Sequence, residues 1–215
     1  MRNGSIPVTI LTGPRGDGKS QFCRSLVVHD GVFGLFSPAC ESAPGLRYGI
    51  DAVILPADQR FPLARVTNLE QSTSRSRRQA ASYTLVRPPA EDSFDQETID
   101  NGIPLGAYTF SSEGIQQAGR ALLDAARAEA TRLIVIDEIG PLELVHDQGF
   151  LEPLKTLLRG DSSIRRLPLL IVVRPSLVVP LCRLVAEERP GSTPETLSTR
   201  DFPRPNDARV IKSLT

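Results

Sequence analysis

The stretch "TILTGPRGDGKSQF" (9–22) constrains the fold more than any other part of the chain. The β-branched apolar run at 6–12 predicts a buried strand that stops at Gly13. Phe22, Leu26 and Val27 recur at helical spacing, so a helix should begin near Lys19 and end around His29. Between them, Gly13, Pro14, Arg15, Gly16, Asp17, Gly18, Lys19 and Ser20 satisfy G-x-x-x-x-G-K-[ST]. Gly13 and Gly18 permit backbone angles and close approaches that a side chain would block, so successive N–H groups can face phosphate oxygens. The helix adds its positive N-terminal end. Lys19 would reach the β- and γ-phosphates, and the Ser20 hydroxyl would ligate Mg²⁺. Asp17 can offer its N–H alone, with its carboxylate turned away. An ordinary glycine turn is the competing reading, and the strand before and helix after argue against it.

Further apolar runs alternate with amphipathic stretches. Residues 31–37 predict a strand, and 47–66 a hairpin turning at 56–59. A strand at 106–110 precedes a helix from Ser112 with Ile115, Ala118, Leu122 and Ala125 as its core stripe. "RLIVIDEIG" (132–140) predicts a buried strand, and Phe150, Leu154, Leu157 and Leu158 a helix with Pro153 near its first turn. "LPLLIVVR" (167–174) predicts the last buried strand and 176–188 the last helix. The expected fold over 1–188 is α/β, a mostly parallel sheet with helices on both faces and a β-hairpin excursion. Residues 67–104, polar and first basic then acidic, read as a mobile insertion with one strand at 83–86. Residues 189–215 read as a loosely attached tail.

The strand at 132–140 ends in Asp137 and Glu138, where open α/β sheets place ligands. Neighbouring strand residues face opposite ways, which predicts two different roles. Asp137 would hold Mg²⁺ through its water shell, and Glu138 would direct a water at the γ-phosphate. Two capping or surface carboxylates are the alternative, weakened by the glycine loop in the same chain.

Charge narrows the partners. Twenty-five basic and 25 acidic residues balance, so no global field attracts nucleic acid or an anionic membrane. Aromatic residues make up 5% of the chain, too few for a base-stacking platform. Only three of the basic residues are lysines, which makes Lys19 in the loop less accidental. Arg75, Arg77 and Arg78 read as a solvated run or a lid over phosphates, and Arg174 as solvated, structural or charge-stabilising. Tyr48, Tyr83 and Tyr108 read as packing. His29 and His146 are isolated. Cys23, Cys40 and Cys182 have no metal-like spacing and read as free thiols. No run approaches membrane-spanning length, and the expected location is cytoplasmic.

Taken together, the segments at 34–55, 61–65, 106–123 and 135–150 resemble the small P-loop nucleoside-triphosphatases of the thermophile-type, cancer-related NTPase family. "VIDEIGPLELVHDQGF" (135–150) is similar to that family's D-E-I-G-x-[ML]-E-L block, and "GLRYGI" (45–50) to its R-x-G-[FI] segment. Pro141 stands where lysine is frequent in that block. The resemblance implies a RecA-like P-loop NTPase fold and Mg²⁺-dependent hydrolysis of ATP, GTP and other NTPs with loose base preference. It further implies that Glu143 organises the site from behind and that Arg47 compensates phosphate charge. Two other readings stay open. One is a small-molecule kinase with the insertion as lid. The other is a nucleotide-dependent switch or assembly factor whose protein partner completes a slow site.

Overall fold

The computed structural model describes residues 7–42, 46–66, 99, 102–160, 164 and 166–198. One sheet contains β1 (Val8–Thr12), β2 (Val32–Phe36), β3 (Ala39–Ser42), β4 (Leu46–Leu55), β5 (Gln59–Val66), β6 (Ile103–Leu105), β7 (Tyr108–Phe110), β8 (Leu133–Ile139), β9 (Leu169–Val173) and β10 (Glu195–Ser198). The helices are α1 (Lys19–Leu26), α2 (Ser112–Arg127), α3 (Pro141–Leu144), α4 (Leu151–Arg159) and α5 (Val178–Glu188). Strand order is β10-β1-β9-β8-β2-β4-β5-β7-β6, with β3 on β4. The run from β10 to β2 is parallel and the remainder antiparallel. The fold is α/β, and its parallel half carries the glycine loop and the paired carboxylates.

Strict alternation builds two cores. In β9, Leu169, Ile171 and Val173 face the core beneath α2, α4 and α5, whereas Leu170 and Val172 face the one beneath α1. In β8, Ile134 and Ile136 face the first core, Leu133 and Val135 the second. Strands buried on both faces read as continuous apolar runs, which is why these two stand out in the sequence. The stripe of α2 is Ile115, Ala118, Leu122 and Ala126; Ala126 takes the buried place expected of Ala125 because the contact face drifts at 3.6 residues per turn. Ser111 caps α2 by accepting the Gly114 N–H at 2.9 Å.

Two boundaries differ from expectation. Ile103–Leu105 pairs with β7 as a strand, so sheet structure resumes inside the segment read as an insertion. The strand expected at 83–86 and Arg75, Arg77, Arg78 and Tyr83 lie outside the described residues. The first part of the tail is also built in. Glu195–Ser198 adds a parallel edge strand to β1, and Arg189 is 2% exposed. Its guanidinium donates to the carbonyls of Leu158 at 2.8 Å, Leu157 at 3.1 Å and Leu167 at 3.3 Å. Leu157 and Leu158 belong to the last turn of α4, whose carbonyls lack intrahelical donors and whose dipole favours a cation. Composition marked this region as polar, but polarity does not reveal a buried cation serving carbonyls from a distant helix. Arg189→Met should lower unfolding free energy by about 2–4 kcal/mol, because buried acceptors lose their donors. Urea denaturation checks this, and a loss below about 1 kcal/mol would show that the contacts are replaceable.

Candidate functional site

Register brings the candidate residues to one edge. β9 lies between β1 and β8, with Thr12 opposite Val173 and Asp137 opposite Val172. The end of β1, where the glycine loop begins, therefore stands level with the carboxylates of β8. This is the carboxyl edge of the parallel strands, where open α/β sheets bind ligands.

Gly16 and Gly18 hold φ of +88° and +79°, a region that disfavours other residues, and open space surrounds both Cα atoms. The conformational requirement falls on Gly16, an unconstrained place in the motif, and on Gly18; Gly13 has no positive φ. Pro14, Arg15, Gly16, Asp17 and Gly18 are exposed. Gly18 begins α1 without a side-chain cap, and no acidic residue occupies the first turn. Those first N–H groups lack intrahelical acceptors, which suits an anion. The Lys19 ammonium donates to the carbonyls of Gly13 at 2.9 Å and Pro14 at 2.5 Å. Its charge thus sits inside the curve of the loop.

On the α1 side, the Ser20 hydroxyl stands near enough to the Asp137 carboxylate to favour its ionised form, and Asp137 is 7% exposed. Burial raises the Asp137 pKa; the neighbouring Ser20 hydroxyl opposes this, and the Glu138 charge adds to it. Arg24, one turn beyond Ser20, also acts electrostatically on Asp137, and its guanidinium lies 5.4 Å from the centre of the Phe36 ring. Sequence reading missed Arg24, although its i+4 spacing from Ser20 was available. The buried hydroxyl of Thr12, immediately before the loop, has no hydrogen-bond partner among the described residues.

Simple alternation does not separate the two carboxylates. The β8–β9 ladder shifts register between Asp137 and Ile139, so Ile139, not Glu138, opposes Val173 and enters the larger core. Glu138 occupies the irregularity, and such bulges re-aim side chains near functional sites. Its carboxylate accepts from Arg174 Nε at 2.7 Å, with side-chain exposures of 35% for Glu138 and 66% for Arg174.

Glu143 is 5% exposed and receives the N–H groups of Gly140 at 2.9 Å and Phe150 at 3.0 Å. Burial raises its pKa and the backbone donors oppose that shift. Gly149, at φ +63°, leaves room where a Cβ would collide with Glu143 Oε1. Glu143 thereby ties together the two ends of the segment that follows Glu138. Arg47 instead pairs with Glu41 at 2.9 Å across the β3–β4 ladder. It precedes Val53, the residue opposite Phe36, by six positions, or about 20 Å of strand.

Ser20 and Asp137 supply adjacent hard oxygen donors, and no group of three or more His, Cys, Asp or Glu forms a metal cage among the described residues. Two protein oxygens completed by phosphates and water suit Mg²⁺, which dehydrates reluctantly. Tyr48 lies beside the Arg65 guanidinium and Tyr108 beside Phe110, so both pack within the sheet. The cysteines are free thiols. No helix among the described residues is long and apolar enough to cross a membrane.

Loop, sheet order and carboxylates define a P-loop nucleotide-binding fold. The sequence matches the profile of a family described as NTPase over residues 69–187, more than half the chain, and the protein belongs to that family. The match includes Asp137, Glu138, Glu143 and Arg174; the glycine loop precedes it and stands on its own motif and geometry. Among solved structures, the chain is similar to the crystal structure of THEP1 from the hyperthermophile Aquifex aeolicus. That likeness has a TM-score of 0.52 at 16% sequence identity and covers 96% of each chain. No curated protein matches.

Proposed function

We propose that this protein hydrolyses nucleoside triphosphates to the diphosphate and phosphate, with Mg²⁺ as cofactor and loose preference among bases. The observation that carries the reading is the meeting of Lys19, the Ser20–Asp137 pair and Glu138 at one sheet edge. In this reading the loop N–H groups and the start of α1 bind the β- and γ-phosphates. Lys19 leaves its loop carbonyls for phosphate oxygens and balances charge there. Ser20 and Asp137 would hold Mg²⁺, which would supply further neutralisation of phosphate charge. Glu138 orients a water and takes its proton as the water oxygen bonds to the γ-phosphorus. The bond from that phosphorus to the β–γ bridging oxygen breaks, and the diphosphate leaves with its electron pair. Every contact invoked goes to phosphate, which supports loose base preference.

Phosphate release from ATP, GTP, CTP and UTP tests this directly. Turnover of several nucleotides without an acceptor is expected with Mg²⁺, and its loss with EDTA. If none releases phosphate under either condition, the hydrolytic reading is wrong.

A further inference from the structure

We propose that Arg174 is a positioning residue that aims Glu138 at the attacking water, an inference that rests on the hydrolytic reading above. Arg174 is the first residue beyond β9, the strand between the one leading into the glycine loop and the one bearing the carboxylates. Thr12 opposes Val173, so the arginine stands one step further, level with Gly13. Its backbone is tethered because its carbonyl accepts the Leu177 N–H at 2.9 Å and Pro175 follows with a fixed φ.

Glu138 needs such a neighbour. It sits at the irregular point of the β8–β9 ladder, so the pleat does not set its direction, and a glutamate has three side-chain torsions to restrict. The contact is single: Nε donates to Oε1 at 2.7 Å, and among the described residues no other hydrogen bond reaches that carboxylate. The second oxygen is therefore left for water. An ion pair this exposed contributes little to folding, so its placement is better explained by the site than by stability. Held this way, Glu138 needs no arginine from a partner to be oriented.

The test compares the full-length wild type, Arg174→Ala, Arg174→Lys, Glu138→Gln and the Arg174→Ala/Glu138→Gln double variant in Mg²⁺-dependent phosphate release from ATP. Arg174→Ala should lower kcat roughly tenfold to a hundredfold with KM within about twofold, as loss of an orienting partner does. Arg174→Lys should recover part of that loss, and the thermal midpoint should not move. In the Glu138→Gln background, adding Arg174→Ala should change kcat by less than about twofold, because the two act as a unit. An equal loss in both backgrounds overturns the proposal and shows the guanidinium acting on phosphate directly. A normal Arg174→Ala beside an inactive Glu138→Gln overturns it while the hydrolytic reading survives. If Glu138→Gln keeps the wild-type rate, the role of Glu138 fails and this proposal fails with it.

Discussion

Glu138→Gln is expected to lower kcat for phosphate release by a factor of about 10² to 10⁴ while nucleotide affinity stays within about twofold. The amide keeps the shape of the carboxylate but cannot accept the proton of the attacking water. Glu138 is at the edge of the sheet and outside both cores, so the substitution leaves packing alone. The uncoupling of binding from turnover is the diagnostic part of the result. Phosphate release and equilibrium binding of a fluorescent ATP analogue measure the two sides. A variant that retains more than about a tenth of the wild-type rate would assign the water to another group.

Lys19→Ala should act on the other side, weakening nucleotide binding by about 10² to 10³ and abolishing measurable turnover. The loop is glycine-rich and presents N–H groups, but Lys19 is the ammonium that reaches into it, bonded to the Gly13 and Pro14 carbonyls. Removing it takes away the cation and also the strap between the two ends of the loop. Isothermal titration with ATP and Mg²⁺ gives the affinity, and the thermal midpoint shows whether the fold survives. Binding within about threefold of wild type would mean that the α1 N-terminus and loop amides suffice.

These variants address residues that were legible in the sequence because their chemistry is local. Eight consecutive residues define the glycine loop, and an apolar strand ending in Asp137 and Glu138 identifies itself by its own pattern. The same locality made α1, α2, β8 and β9 readable, since each buries its apolar residues at its own period. Glu143 is recognised through the similarity of its whole block to a known family, not through its own chemistry, because a glutamate four residues into a turn looks solvated until its two backbone donors are seen.

What escaped the sequence depends on neighbours chosen by the sheet. Arg174 and Glu138 are 36 residues apart and meet only because β9 lies against β8. Asp137 and Glu138 are separated by a register shift that no single-strand pattern records. Arg189 and Glu195–Ser198 read as tail because their composition is polar, and they become part of the fold through the carbonyls of α4 and the open edge of β1. Sequence alone determined that the chain folds as α/β and carries a glycine loop of the phosphate-binding pattern with two carboxylates, because periodicity and loop chemistry are properties of contiguous residues. Only the tertiary structure decided which arginine stands beside Glu138, because strand order and register arise from packing the whole chain at once.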